Sequence, residues 1–264
     1  MEKKNAIFFI VFIVLCLYLL MPFGESYSKL NIVGSTSVQP LCEELVEEYK
    51  KKHGGVDINV QGGGSSLGIK CAENSLADIG MSSKEVNQTN LKEYEIGVEG
   101  IAVVVNPDNP ISDLSSNQIK SIFSGNISSW SEISNRSGMI NVVVREEGSG
   151  TLDAFKDSIM NGTEIRDDAI IQNSAGAVKQ AVINDKNAIG FVSLVNLDNN
   201  LKDIKVDGIE ISEKSIRNGS YELKRPFTFM TDKTPSKDAM DFINWSLSSE
   251  SSEIFEKEKI IKID

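Results

Sequence analysis

The sequence predicts an α/β fold, and three observations point to it. Strand-like and helix-like segments alternate along the chain once the first 28 residues are passed. Glycine and serine gather where a strand hands over to a helix, the edge at which open α/β sheets bind ligands. The 264 residues, 40% of them hydrophobic, are enough for one large domain or two lobes, each with its own core.

The elements follow in order. Leu30–Val33 is a short apolar strand ending at Gly34. Pro40–Lys52 is an amphipathic helix, with Leu41, Leu45 and Tyr49 at i, i+4 and i+8. Val56–Gln61 alternates as a strand, Ser66–Glu73 reads as a helix and Ala77–Met81 as a short strand. Gly100–Asn106 is a continuous apolar strand stopped by Asn106-Pro107. Ser115–Ser124 is a helix opened by a serine cap, Ile127–Ile133 a turn and short helix, and Met139–Val144 a strand. Thr151–Met160 and Ser174–Asn184 are helices, Ala188–Ser193 and Glu222–Met230 strands, and Ser236–Lys257 a closing helix or helix pair. This alternation predicts largely parallel sheets. No internal repeat or low-complexity tract interrupts it.

Met1–Tyr27 has the form of a targeting segment. Lys3 and Lys4 precede an unbroken apolar run, Ala6–Met21, and Gly24, Ser26 and Ser28 follow it. The chain is therefore expected to be exported. The run is also close to the length of a spanning helix, so a retained N-terminal anchor stands beside a cleaved signal. Cys16 sits among large apolar residues, an unfavourable setting for lipidation. Cys42 and Cys71 read as two buried thiols on separate helices, with pairing as the alternative in an oxidising compartment. Six glycosylation sequons, beginning at Asn87, Asn126, Asn135, Asn161, Asn218 and Asn244, are about what abundant Ser and Asn generate.

The net charge is -11, and removing residues 1–28 takes away two acids and two bases, leaving it unchanged. That argues against a nucleic-acid partner, whose phosphates attract basic faces. A small anion is still compatible, because local N–H groups and an arginine outweigh distant, screened charge.

Three junctions concentrate the chemistry: Gly34-Ser35-Thr36-Ser37, Gly62-Gly63-Gly64-Ser65-Ser66, and Arg145-Glu146-Glu147-Gly148-Ser149-Gly150-Thr151. Each puts hydroxyls and small residues at a helix N-terminus, where free N–H groups and the helix dipole favour an oxyanion. One such junction is most simply a capped helix. Three, with Arg145 in the third, point to binding. Enzyme patterns fail. Gly63 and Gly68 have the P-loop spacing, but Ile69 stands where lysine is required. His53, the single histidine, belongs to a helix end, so neither a Ser–His–acid triad nor a His/Cys metal site is supported. Trp130, Trp245 and the phenylalanines read as core.

These residues resemble a family. Gly34 to Pro40, Gln61 to Ser66, Ala77-Asp78-Ile79-Gly80-Met81-Ser82-Ser83 and Arg145 to Thr151 occur in the order found in substrate-binding proteins of the phosphate-specific ABC transporter. Ile119 to Gly125 with Trp130, Ala188 to Phe191, and Tyr221 to Pro226 extend the match over nearly everything after residue 29.

The resemblance implies a two-lobed type II periplasmic-binding-protein fold with mixed sheets and a two-crossing hinge. Residues 29–105 and 226–264 would form lobe I and residues 106–225 lobe II, with crossings near Asn106 and Arg225. Phosphate would lie between them, held by Thr36, Ser37, Ser65 and Ser83 from the first and by Arg145, Ser149, Gly150 and Thr151 from the second. It further implies no catalysis, no metal and no cofactor, a monomer in the periplasm or at the cell surface, and delivery of phosphate to an ABC permease and ATPase complex. Contact with the membrane surface would come through that permease or an N-terminal anchor.

One position departs from the family. Many members carry aspartate where this chain has Ser83, and that carboxylate accepts the proton of hydrogen phosphate. Glu146, beside Arg145, is the candidate substitute; Glu147 is the weaker one, and both also fit as solvated charge at a helix start. The departure keeps sulfate, molybdate and tungstate open as ligands. An exported phosphatase or esterase is a further alternative, lacking a visible base or metal set, and an anchored phosphate sensor or adhesin is another.

Overall fold

The computed structural model describes residues 28–86 and 90–263. The predicted targeting segment and the sequon at Asn87 lie outside the described residues. In chain order the elements are β1 (Ser28–Gly34), α1 (Gln39–His53), β2 (Val56–Gly62), α2 (Ser65–Glu73), β3 (Ile79–Ser82), β4 (Lys92–Val105), β5 (Asp113–Leu114), α3 (Ser116–Phe123), β6 (Asn141–Arg145), α4 (Gly150–Phe155), β7 (Ile170–Gln172), α5 (Ala175–Asn184), β8 (Ala188–Ser193), β9 (Lys202–Asp203), β10 (Lys205–Val206), α6 (Glu213–Arg217), β11 (Lys224–Thr231), α7 (Lys237–Leu247), α8 (Ser252–Lys257) and β12 (Ile261–Lys262).

One sheet runs in the order β2-β1-β3-β11-β4-β8-β6-β7, with β9 and β12 also pairing β4; β5 and β10 form a separate pair. Its two ends are parallel, β2-β1-β3 on one side and β8-β6-β7 on the other. The centre is antiparallel, because β11 opposes both β3 and β4, and β4 opposes β8. This corrects the expectation of largely parallel sheets. Hydrophobic runs report how buried a strand is, and the direction in which the chain re-enters the sheet leaves no mark on them.

Two hydrophobic cores flank this centre. One gathers Leu30, Ile32, Leu41, Leu45, Ile79, Ile96, Phe227, Phe229 and Phe242. The other gathers Ile101 to Val105, Phe123, Trp130, Val142 to Val144, Phe155, Val178, Phe191, Tyr221 and Leu223. The long β4 belongs to both: Ile96 faces the first core, while Ile101 onward faces the second. At the start of β11 the change falls between Leu223, just before the strand, and Phe227 within it. Both strands therefore pass from core to core side by side, with Arg225 opposite Glu99 in the register.

Local chemistry explains where other elements depart from the sequence reading. The helix expected over Thr151–Met160 is α-helical only to Phe155 and then widens into a π-turn over Lys156–Met160, closed by left-handed Asn161. The closing stretch is the expected helix pair rather than one helix, broken after Leu247, where the Ser248 hydroxyl donates to Trp245 O and accepts from Glu250 N. Ser115 caps α3 through a full capping box with Gln118. His53 does sit in the last turn of α1, exposed, and stacks on Tyr49 at 4.5 Å. Cys42 is a buried free thiol on α1, and its burial pushes the thiol's pKa well up. Cys71 on α2 is free too but only half-buried, against the expectation of two buried thiols.

Candidate functional site

The predicted strand-to-helix junctions meet where the two cores face each other. The β1–α1 turn can form because Gly34 takes a φ of +151° and lies against β3: a Cβ there would come 2.1 Å from Met81 O. The turn is pinned by Ser35 N donating to Met81 O at 3.0 Å, and Gly63 N and Gly64 N both donate to Gly34 O. These bonds bring the first and second junctions together and aim Ser35, Ser37 and Ser65 inward, all buried.

Ser83, just past β3, is at the centre of the cluster. Its Oγ is 2.8 Å from Ser35 Oγ and 3.2 Å from Ser65 Oγ, and its N–H donates to Ser65 Oγ at 3.1 Å. The third junction approaches from the other core. Thr151 Oγ1 lies 3.1 Å from Ser37 Oγ. Gly150 lies so close to Ser83 that a Cβ would stand 2.6 Å from its carbonyl carbon. Ser66 N donates to Gly148 O at 3.1 Å, and Lys84 Nζ pairs with Asp153 Oδ2 at 2.9 Å.

The eight predicted residues thus divide. Ser37, Ser65, Ser83, Gly150 and Thr151 come together directly. Thr36 turns its hydroxyl to the start of α5, accepting from Ala175 N at 3.3 Å. Ser149 caps α4, its Oγ accepting from Leu152 N at 3.4 Å. Arg145 is buried, and its Nε and Nη2 each donate to the Glu146 carboxylate at 2.9 Å. Glu146 therefore already has both oxygens engaged by Arg145. Glu147 is exposed and pairs with Lys156 at 2.7 Å.

Ser35 was missed as a member of the cluster, although it lies in the first junction. The larger omission is Arg225, which the sequence reading treated only as a crossing point. Its Nη1 donates to Ser83 Oγ at 3.0 Å and to Thr151 Oγ1 at 2.6 Å, so one side chain bridges both halves of the cluster. Its Nε and Nη2 donate to Glu99 Oε1 at 2.9 and 2.6 Å, and Ser193 Oγ donates to Glu99 Oε2. Both side chains are almost wholly buried. Burial pushes the Glu99 carboxyl above the ordinary carboxylate range and the Arg225 guanidinium below its ordinary value, and their mutual attraction opposes both shifts. A signal for this pair does exist: Glu99 interrupts the apolar stretch Ile96–Val105, and a buried carboxylate needs a partner.

Chemically, the cluster offers hydroxyls, helix N-termini and two buried guanidinium groups. That is a donor-rich setting for an oxyanion. Among the described residues no group of His, Cys, Asp and Glu is arranged to hold a metal ion, and no helix is long and apolar enough to cross a membrane.

Comparison with known proteins identifies the family and the fold. A family profile described as a PBP superfamily domain matches residues 24–250. The phosphate-binding protein PstS of Bacillus subtilis is 30% identical over 206 residues, which are 75% of this chain and 68% of that one. A crystal structure from Clostridium perfringens, described as a phosphate ABC transporter substrate-binding protein with bound phosphate, superposes with a TM-score of 0.87. Its sequence is 36% identical, and the superposition covers 90% of this chain and all of the other. An ABC-type phosphate transport receptor from Vibrio cholerae gives a TM-score of 0.72 at 29% identity, covering 89% of this chain and 100% of its own. The mixed sheet with two cores, the junction motifs and these matches carry one conclusion: the chain belongs to the PstS phosphate-binding protein family of ABC transporter substrate-binding proteins.

Proposed function

We propose that this protein binds inorganic phosphate between two lobes and delivers it to an ABC permease complex, without catalysing a reaction. The observation that carries the reading is the buried cluster of Ser37, Ser65, Ser83 and Thr151, drawn from both cores and bridged by Arg225. In this reading Arg145 turns part of its guanidinium to the anion, and the N–H groups at Gly150 and Thr151 join the hydroxyls. Thr36 and Ser149 take part through small rotations from their present partners. The lobes are residues 29 onward with 226–264, and the segment ending at 225. The packing of Ile101 to Val105 supports a first crossing at residues 97–100, before the expected Asn106. Lobe closure is then a hinge motion selected by ligand, with β4 and β11 as the two crossing strands.

The setting is extracytoplasmic, and the N-terminal segment serves as a cleaved signal or an anchor. The protein acts as a monomer that meets the membrane at the permease. Isothermal titration with phosphate tests the binding step. A ligand at 100 times its Kd adds about 2.7 kcal/mol to native stability, which a thermal shift reads independently. Absence of both heat and shift at neutral pH would refute the proposal. A second tetrahedral oxyanion, sulfate above all, is favoured by one observation only: the serine at position 83 has no carboxylate to accept a ligand proton.

A further inference from the structure

We infer that Lys84 latches the closed cleft: its ion pair with Asp153 forms as the two halves meet and adds to the affinity for the anion held behind it. The inference rests on the phosphate reading above and on its hinge motion, and it adds a positioning pair just outside the ligand cluster.

Each member of the bridge is a near neighbour of a site residue. Lys84 follows Ser83, Ser66 follows Ser65, and Asp153 lies two residues after Thr151. Lys84 Nζ donates to Asp153 Oδ2 at 2.9 Å and to Ser66 Oγ at 3.2 Å. The junctions that meet in the cluster are thus joined again one step outward. Both ends stand on fixed backbone. Ser82 Oγ accepts from Lys84 N at 3.2 Å and donates to Lys84 O at 3.0 Å, which sets the direction in which the chain leaves β3. Asp153 N donates to Ser149 O at 3.0 Å in the first turn of α4. Beside the pair, Ser66 N donates to Gly148 O at 3.1 Å.

Other ion pairs stay on one side. Lys156–Glu147 and Lys179–Asp198 lie within the half around the second core, and Lys257–Glu44 within the half around the first. A hinge motion leaves such pairs intact. Lys84 and Asp153 come from opposite halves, so separation breaks their contact and closure makes it. Their side chains are 25% and 31% exposed, so solvent screens the pair only in part. Each charge also acts alone: Lys84, next to Ser83, attracts an anion, and Asp153 repels one. Glu85, Lys156, Asp157 and Lys224 line the same groove and add to that field. Single substitutions mix field and latch, and a double-mutant cycle separates them.

The test is phosphate calorimetry on the wild type, Lys84→Met, Asp153→Asn and the double variant, with circular dichroism as the check on folding. The product of the wild-type and double-variant association constants should exceed the product of the two single-variant constants by about two- to fivefold. That excess should shrink in high salt. Melting of the four proteins without phosphate should show no coupling, because the pair is made only on closure. A ratio of one in the binding cycle overturns the inference while leaving phosphate binding intact. Coupling already present in ligand-free melting overturns it too, since the pair would then exist before the anion arrives. A wild type that binds no phosphate removes the functional reading itself, and this inference with it.

Discussion

Gly150 provides the sharpest test of closure. A Cβ at this position would stand 2.6 Å from both the carbonyl carbon and oxygen of Ser83 and 2.7 Å from its Oγ. That is about 0.8 Å short of the 3.4 Å at which ordinary contact begins. Two of the three obstructing atoms are backbone, so no rotamer change relieves them. Gly150 opens α4 and its φ is not among the positive ones, so alanine suits its local conformation. In a form with the halves apart, Gly150→Ala should be neutral or stabilising by roughly 0.5–1 kcal/mol, because alanine loses less backbone entropy.

In the proposed hinge motion, only the closed form meets the clash. Overpacking of this kind costs roughly 1–3 kcal/mol, which taken from binding weakens affinity by about 5- to 150-fold. Calorimetry of G150A with phosphate reads that loss. Thermal melting without phosphate provides the control, and the melting temperature should hold or rise. Unchanged affinity would refute the reasoning, because it would mean that the bound state does not bring Gly150 against Ser83. A lowered ligand-free melting temperature would show that the clash is present without ligand, which also contradicts it.

Other predictions use different observations. If Glu146 serves as proton acceptor besides holding Arg145, Glu146→Gln should weaken phosphate binding or admit sulfate, and calorimetry with both anions decides it; unchanged affinity and selectivity remove Glu146 from that role. In protein lacking residues 1–28, Ellman's reagent should titrate the half-buried Cys71 and leave Cys42 unreacted until the chain unfolds, since burial holds that thiol protonated. Tyr221→Phe should cost about 1–2 kcal/mol in denaturant unfolding, because the buried phenol donates to Ile101 O at 2.8 Å and its loss leaves that carbonyl unpaired. The Glu132 carboxyl is held below its ordinary value chiefly by N–H donation from Ser128 and Ser129. Its contribution to stability is therefore present above its unfolded-state pKa and is lost as pH falls through the folded one, so the melting temperature of Glu132→Gln should converge with that of wild type in acid.

The parts of this fold legible in the sequence are those that local physics dictates. Helices α1, α3 and α5 are written in apolar spacing and in Ser115 and Ser174 caps, and all three appear within a residue or so of their expected bounds. Short β7 escaped notice because Ile170 and Ile171 are largely exposed, so no buried face imprints a period on them. The first half of β4 escaped for another reason. Glu93, Glu95 and Glu99 break its apolar run, although Tyr94, Ile96 and Val98 keep the alternation of a strand.

The same distinction governs the site. Ser37, Ser65 and Thr151 were legible because hydroxyls gathered with glycine at a helix start suit an anion, although the N-cap positions themselves fall to Val38, Gly64 and Ser149. Arg225 lies within a strand, 74 residues from Thr151 and 142 from Ser83, where no local rule asks for a guanidinium. What makes it intelligible is Glu99. A carboxylate inside a strand that crosses from one core to the other cannot be left without a counter-charge. The residue opposite it on the other crossing strand supplies that charge. Once Arg225 is there, its free Nη1 has nowhere to point but the hydroxyls that meet between the cores. The structural demand of this crossing thereby places a cation against the hydroxyl cluster. In the proposed binding role a hydroxyl at position 83 can accept from Arg225 and still donate to an anion, whereas an aspartate there would pair with Arg225.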